Sequence, residues 1–193
     1  MKTVIMAGGK GTRFPGGTEK GMIQLSEKTL LERTVNAITE SGCPNPIVAI
    51  TSETPDTGNF AFNLGLETIQ TPGRGYHEDV YFLLGTLGNF VSINVDIPFI
   101  SSTAIDQLLS HVQDHSIACV IPQDIIDFQI SEDSVYRGID GKNYVWAGIN
   151  YVTPSHDTGI LVLNDRLLAL NINTIDDLKT AERLLAHNDL SKR

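Results

Sequence analysis

The first twenty residues join a short apolar run directly to a glycine-rich loop. Residues 3–7 are TVIMA, which is typical of a buried strand, and residues 8–13 are GGKGTR. Glycine lets the backbone approach an anion closely, so that successive N–H groups can converge on one phosphate. A strand that opens into such a loop favours an α/β sheet, in which ligands bind beyond the carboxyl ends of the strands.

The spacing of the glycines excludes two common phosphate-binding loops. The dinucleotide pattern G-x-G-x-x-G fails because Phe14 stands where the third glycine belongs. The P-loop pattern fails because Gly17 and Thr18 follow Gly16, so its lysine is missing. What remains, GGKGTR with a distal Glu19–Lys20 pair, resembles the signature loop of nucleotidyltransferases.

Composition agrees with a single enzyme domain over residues 1–193. The net charge of −9 argues against nucleic-acid binding, yet four of the 14 Lys and Arg residues lie in the first twenty positions, which indicates a discrete anionic ligand. Cys43 and Cys119 have no metal-ligand spacing, and Cys119 is expected to be buried. No run is long and apolar enough to span a membrane, so a cytoplasmic location is expected.

Apolar strands alternate with amphipathic helices along the rest of the chain. The pattern predicts a Rossmann-like, open, mostly parallel sheet with helices on both faces, as in nucleotide-diphospho-sugar transferases. A capping box at residues 29–32 begins one helix and Gly42 ends it. His111 and His115 are expected on the surface of a later helix. The predicted strands are residues 46–50, 68–70, 91–95, 117–121, 145–152 and 160–163. Helices are predicted to begin near residues 55 and 78, a third helix carries the apolar stripe 105–112, and Thr174 caps the last helix. Residues 123–142 are interpreted as an insertion or flap.

Several later residues are predicted to share the ligand-binding edge. Asp96 follows a strand and is either a Mg²⁺ ligand or a turn cap. Residues 71–76, TPGRGY, form a second glycine-rich loop that could also be a plain turn. Asn173 either contacts metal or phosphate, or merely belongs to a helix cap. Gly148 interrupts a strand, which indicates a bulge or close approach of a ligand.

The order of these motifs gives a narrower resemblance. IMAGGKGTR, Glu19–Lys20, the loop 71–79, AGIN at residues 147–150 and NINT at residues 171–174 together resemble archaeal GTP:adenosylcobinamide-phosphate guanylyltransferases. Molybdenum-cofactor guanylyltransferases and sugar-nucleotide pyrophosphorylases share only the first motif. One departure is Gly21, where these relatives usually have proline.

The resemblance implies two substrates, GTP and adenosylcobinamide phosphate, and a set of roles. Arg13 is expected to bind the β- and γ-phosphates, Lys20 the α-phosphate, and Asp96 and Asn173 a Mg²⁺ ion that accompanies GTP, with a protein-bound metal left open. Gly148 and Asn150 are the acceptor candidates. Glu53, Glu78 and Asp79 are the carboxylates available to read guanine. The predicted nucleotide contacts are Ala7, Gly8, Gly9, Lys10, Gly11, Thr12, Arg13, Lys20, Ser52, Gly73, Gly75 and Asp79.

Three alternatives stay open at this point. Another nucleotidyltransferase would share the glycine loop and differ in its acceptor. A GTP-binding regulator would bind GTP without releasing pyrophosphate. A structural interaction module would neither bind GTP nor catalyse a reaction. The sequence also leaves the oligomeric state open, a homodimer included.

Overall fold

The computed structural model describes residues 1–9, 11–14, 17–44, 46–130 and 134–191, with only the backbone described for 188–191. These residues form a central eight-stranded sheet, a two-stranded hairpin and five α-helices. The strands are β1 Lys2–Met6, β2 Gln24–Leu25, β3 Lys28–Thr29, β4 Ile47–Ile50, β5 Glu67–Gln70, β6 Phe90–Asn94, β7 Ser116–Pro122, β8 Val135–Arg137, β9 Asn143–Val152 and β10 Thr158–Val162. The helices are α1 Leu30–Glu40, α2 Pro55–Asn63, α3 Tyr76–Leu87, α4 Ser102–Ser110 and α5 Ile175–Ser191.

The main sheet has the order β10-β7-β9-β6-β1-β4-β5, and β8 pairs with β9. Strand β1 lies in its middle and is parallel to β4 and β6, while β9 runs antiparallel to β6, β7 and β8. The predicted fold class, a mostly parallel sheet with helices on both faces, is therefore confirmed. The antiparallel orientation of β9 brings its amino-terminal half to the edge where β6 and β7 end.

The side chains of β1 alternate between two apolar cores. Ile5 belongs to the larger core, which α1, α4 and α5 cover, and Val4 belongs to the smaller core beneath α3. Alternation is the geometry of a strand whose two faces are both covered. Burial on both faces fixes the position of the loop that follows β1.

Local signals placed several elements correctly. Thr29 and Glu32 form the predicted capping box of α1, and Gly42 lies just past its end with a φ of 71°. At α5, Thr174 Oγ1 accepts a hydrogen bond from the Asp177 N–H at 3.2 Å, as expected of a cap. Gly148 has a φ of 69° where the β7–β9 register shifts, so the predicted bulge is confirmed.

One expectation about local structure was wrong. Helix α4 ends at Ser110, so His111 is its C-cap and His115 lies beyond it, next to β7. The segment interpreted as an insertion or flap contains β8, which joins the main sheet through β9. No helix among the described residues has the length and apolarity that crossing a bilayer requires.

Candidate active site

A cavity of about 360 Å³ opens at the carboxyl edge of β1 and β6. Its walls come from the first glycine loop, the Lys20 segment, the second glycine loop with the start of α3, and the end of β6. The lining residues are Met6, Gly8, Gly9, Lys20, Gly73, Gly75, Tyr76, Asp79, Asn94, Val95 and Asp96. The topology thus brings together most of the motifs that the sequence singled out.

Lys20 ties three distant segments together in this cavity. Its ammonium donates hydrogen bonds to Asp96 Oδ2 and to Asn173 Oδ1, both at 2.6 Å. The Asp96 carbonyl also accepts the N–H of Ile172 at 2.8 Å, which anchors the segment that carries Asn173. A charge-assisted pair of this kind fixes a cation at the floor of the site.

Glu19, which precedes Lys20 in the sequence, hydrogen-bonds through its side chain to backbone groups of the protein. Its two carboxylate oxygens accept the backbone N–H groups of Asp56 at 2.9 Å and Thr57 at 2.7 Å, in the first turn of α2. A carboxylate satisfies the unpaired amides of a helix start and is stabilised by the positive end of the helix dipole. Glu19 therefore fixes the backbone immediately before Lys20.

Thr51 explains why two of the glycines are required. A Cβ on Gly8 would lie 2.7 Å from Thr51 Cγ2, and one on Gly73 would lie 3.2 Å from the same atom. The first distance is shorter than real side chains show, so the packing against Thr51 requires glycine at position 8. Thr51 Oγ1 also donates to the Gly8 carbonyl at 3.3 Å, so this threonine holds the two glycine loops side by side.

Gly21 has a comparable steric reason. A Cβ on this residue would lie 2.8 Å from Thr57 Cγ2, in the turn that Glu19 caps. Thr57 thus occupies the space that a side chain at position 21 would need.

The second glycine loop is held by the carboxylate of Asp79. Asp79 Oδ1 accepts the Gly73 N–H at 2.8 Å, while Oδ2 accepts no hydrogen bond among the described residues. Gly73 and Gly75 have φ values of 68° and 119°, which glycine adopts without strain. Asp79 is buried and lines the cavity, whereas Glu53 and Glu78 are exposed and do not line it.

A hydroxyl network links the cavity to β9. Tyr76 Oη lies 3.3 Å from Ser92 Oγ, and the Asn150 side-chain amide donates to it at 3.2 Å. Burial of the hydroxyl raises the pKa of Tyr76 above its ordinary value, and the hydrogen bonds from Ser92 and Asn150 offset part of that rise. Tyr76 is therefore a neutral hydrogen-bonding residue at physiological pH.

The remaining predicted residues do not line the cavity. Thr12 and Arg13 are exposed on the turn after Gly11, Ser52 is exposed after β4, and Ala7 is buried beneath the first loop. A Cβ on Gly148 would lie 3.0 Å from Asn94 Nδ2, which places the β9 bulge against the cavity wall. Lys10 lies outside the described residues.

Asn94 and Asp96 each carry a buried oxygen that has no hydrogen-bond partner among the described residues. These are Asn94 Oδ1 and Asp96 Oδ1. Buried polar atoms are normally paired, so two orphaned oxygens two residues apart indicate groups that a ligand would satisfy. The described residues contain no cluster of three carboxylate, histidine or cysteine side chains that could hold a metal alone. Asp96 fits a cation held mainly by substrate phosphates, which Mg²⁺ commonly is.

Sequence reasoning did not find the roles of Glu19, Thr51 and Asn94. Glu19 was recognised only as the neighbour of Lys20, and its bond to α2 crosses 37 residues. Asn94 is the last residue of β6, two positions before Asp96, and this position at a strand end was the one signal that could have found it.

Comparisons with known proteins agree with this geometry. The sequence profile of the MobA-like NTP transferase domain matches residues 3–136. Over 207 positions the chain is 32% identical to the adenosylcobinamide-phosphate guanylyltransferase of Methanocaldococcus jannaschii, with 98% of this chain and 100% of that protein covered. The chain belongs to the MobA-like NTP transferase family, alongside this guanylyltransferase. The protein is therefore a nucleotidyltransferase, as the sequence predicted.

Solved structures with little sequence similarity share the fold. CTP:phosphocholine cytidylyltransferase from Streptococcus pneumoniae has a TM-score of 0.67 at 14% identity, covering 95% of this chain and 98% of that one. CMP:2-keto-3-deoxy-manno-octonic acid synthetase in complex with CTP has a TM-score of 0.70 at 11% identity, covering 97% and 100%. At these identities the likeness concerns the fold alone.

Proposed function

We propose that the protein transfers GMP from GTP to adenosylcobinamide phosphate, giving adenosylcobinamide-GDP and pyrophosphate. The observation that carries this proposal is the near full-length similarity to a protein named for that activity. The cavity supports it, because Lys20, two glycine loops and the orphaned Asp96 oxygen meet at one anion-binding edge.

The reaction needs electrostatics more than proton transfer. An oxygen of the acceptor phosphate attacks the α-phosphorus of GTP, the bond to the bridging oxygen breaks, and pyrophosphate leaves with the electron pair. A phosphate monoester has a second pKa of about 6, so the attacking oxygen is already anionic at neutral pH. The protein's task is to align two anions and neutralise the charge that develops between them.

Each charged group near the cavity has a part in this scheme. Lys20 stabilises the α-phosphate, Arg13 on the adjoining turn binds the β- and γ-phosphates, and the loop amides hold the departing pyrophosphate. Asp96 would hold Mg²⁺, which when bound neutralises phosphate charge, whereas Asn173 Oδ1 already accepts from Lys20 and helps to position that ammonium. Because Asp96 Oδ2 is engaged by Lys20, its unpaired Oδ1 is the oxygen available to that ion.

Asp79 is the best-placed carboxylate to read guanine. Guanine presents two donors, N1–H and the N2 amino group, where adenine presents an acceptor and no matching amino group. The cavity-lining Asp79 has one oxygen fixed by Gly73, and its second oxygen, which has no partner in the described part of the chain, is placed to accept from these donors. Adenine would leave the acceptor groups of the site without hydrogen bonds, and each unsatisfied group would cost about 1–3 kcal/mol of binding free energy.

Pyrophosphate release tests the proposal directly. The wild type should release pyrophosphate with GTP and adenosylcobinamide phosphate, but far more slowly with ATP or with a sugar phosphate as acceptor. Asp79→Asn should reduce the preference for GTP over ATP, whereas Glu78→Gln, which changes the adjacent exposed carboxylate, should not. Turnover with a sugar phosphate but not with adenosylcobinamide phosphate would instead favour a sugar-nucleotide pyrophosphorylase.

A further inference from the structure

Half of the main sheet presents a partly exposed apolar face whose residues belong to neither core. This open sheet face consists of Ala118, Tyr136, Trp146, Ile160 and Val162 on strands β7 to β10, and Val120, which pairs with both Trp146 and Val162, is fully buried within it. Trp146, Ile160 and Val162 are 37%, 43% and 41% exposed. Neighbouring residues such as Cys119 and Ile149 point the other way, into the larger core. An exposed cluster of this kind marks a surface that binds something.

Strand register places the open sheet face beside the nucleotide cavity. Asn150 pairs with Ser92 on one side and with Ala118 on the other, and Trp146 pairs with Val120. Directly paired residues project from the same face of a sheet, so the face begins where the cavity wall ends. The hydrogen bonds of Tyr76 with Ser92 and Asn150 join the two surfaces.

The aromatic residues make part of this face flat. The rings of Tyr136 and Trp146 lie with centroids 4.8 Å apart and planes tilted by 40°. At the rim, the Tyr144 hydroxyl donates to Asp140 Oδ2 at 2.8 Å, so a carboxylate borders the rings. A broad ring system with apolar faces and polar substituents could pack on the aromatic rings and place its substituents beside the Asp140 carboxylate.

We infer that the open sheet face binds the macrocycle of the acceptor, a large flat amphipathic cobalt corrinoid. This inference rests on the proposed function. The acceptor phosphate must reach Lys20, and a cavity of about 360 Å³ that already receives a nucleotide has no room for a macrocycle. The macrocycle must therefore lie on an adjoining surface, and on the open sheet face the Asp140 carboxylate at the rim complements the positive cobalt centre.

Charge placed on this face separates acceptor binding from nucleotide binding. In Ile160→Glu and Val162→Glu, the KM for adenosylcobinamide phosphate should rise at least about tenfold, because an unpaired carboxylate would be buried under the ligand. The KM for GTP should stay within about twofold, since neither residue lines the nucleotide cavity. Phe62→Glu is the matched control, because Phe62 is 78% exposed on α2, which packs against the opposite face. It should change neither constant.

Trp146 provides a second readout that does not depend on turnover. It is the single tryptophan of the chain, so its emission, corrected for absorption by the ligand, reports binding of adenosylcobinamide phosphate without GTP. In the acceptor assay, Trp146→Phe should preserve a low acceptor KM, and Trp146→Ala should raise it, because phenylalanine keeps an aromatic surface.

Each outcome supports or overturns one statement. Equal acceptor KM values in Ile160→Glu, Val162→Glu and Phe62→Glu would overturn the inference while leaving the proposed function intact. Dissociation of a wild-type dimer by Ile160→Glu, seen by sedimentation, would show that a second copy covers this face instead. Corrinoid binding that Ile160→Glu weakens, without pyrophosphate release by the wild type, would refute only the proposed function. A wild type that neither binds the corrinoid nor turns over would overturn both.

Discussion

Removing the Glu19 carboxylate should cost stability and, more severely, turnover. Glu19 is 7% exposed, and its oxygens accept two backbone N–H groups at 2.9 and 2.7 Å. Hydrogen bonds to charged groups contribute about 1.5–3 kcal/mol each, and loss of a helix cap costs about 0.5–2 kcal/mol. Because water can replace part of what is lost, we expect Glu19→Ala to lower the unfolding free energy by about 2–3 kcal/mol.

The effect on turnover follows from the neighbouring residue. Glu19 holds the backbone next to Lys20 against α2, and the Lys20 ammonium must meet Asp96 and Asn173 at 2.6 Å. A displacement of about 1 Å at such a site can cost about 10²-fold in rate. We therefore expect kcat to fall by about 10²-fold in Glu19→Ala, measured as pyrophosphate release at saturating GTP and acceptor, in conditions where the variant is fully folded.

Glu32→Ala supplies the matched control for this prediction. Glu32 also stabilises a helix start, as the N3 residue of the α1 capping box, with Oε2 accepting from the Thr29 N–H at 2.8 Å and from its hydroxyl at 2.9 Å, and it does not line the cavity. It should lose about 1 kcal/mol of stability in urea unfolding and keep the wild-type kcat. Normal turnover in folded Glu19→Ala, or an equal loss in both variants, would refute the reasoning.

Three further predictions concern single contacts. Lys20→Ala and Asp96→Ala should each lower kcat by about 10²–10³-fold and change the Kd for GTP much less, because both residues act on charge that develops in the transition state. If either variant keeps a near-normal kcat, measured as pyrophosphate release, the role assigned to that residue is wrong. Gly21→Ala should lower the Tm because the added Cβ would lie 2.8 Å from Thr57 Cγ2. The double variant Gly21→Ala/Thr57→Ala should recover part of that loss, and strictly additive Tm changes would contradict the steric explanation. Burial raises the pKa of Cys119 to about 12, so iodoacetamide at pH 8 should leave it unmodified in the folded protein and modify it after unfolding, as mass spectrometry would show.

Features encoded by neighbouring residues were predictable from the sequence. The capping box at Thr29, the helix end at Gly42 and the bulge at Gly148 each depend on a few adjacent positions, and the structure has all three. The boundary of α4 was missed because Val112 continues an apolar stripe beyond Ser110, where the helix ends. Hydrophobic spacing alone does not distinguish a helix from a loop that packs on the same core.

The site was predicted in its parts but not in its connections. Lys20, Asp96 and Asn173 were each expected at the ligand-binding edge, yet their convergence on one ammonium spans 76 and 153 residues. Such contacts are set by how the sheet is assembled, and no local pattern encodes them. The clamp that Glu19 forms on α2 was missed for the same reason, since a single carboxylate in a loop carries no periodic signal.

The reach of the Lys20 contacts has a consequence for the timing of synthesis. The amino-terminal loop and β6 are complete before residue 100, but Asn173 lies 153 residues after Lys20. A nascent chain in which residue 173 has not yet been made can shape the glycine loops without fixing the lysine between its two partners. Competence for chemistry should therefore not precede the synthesis and docking of the segment that carries Asn173.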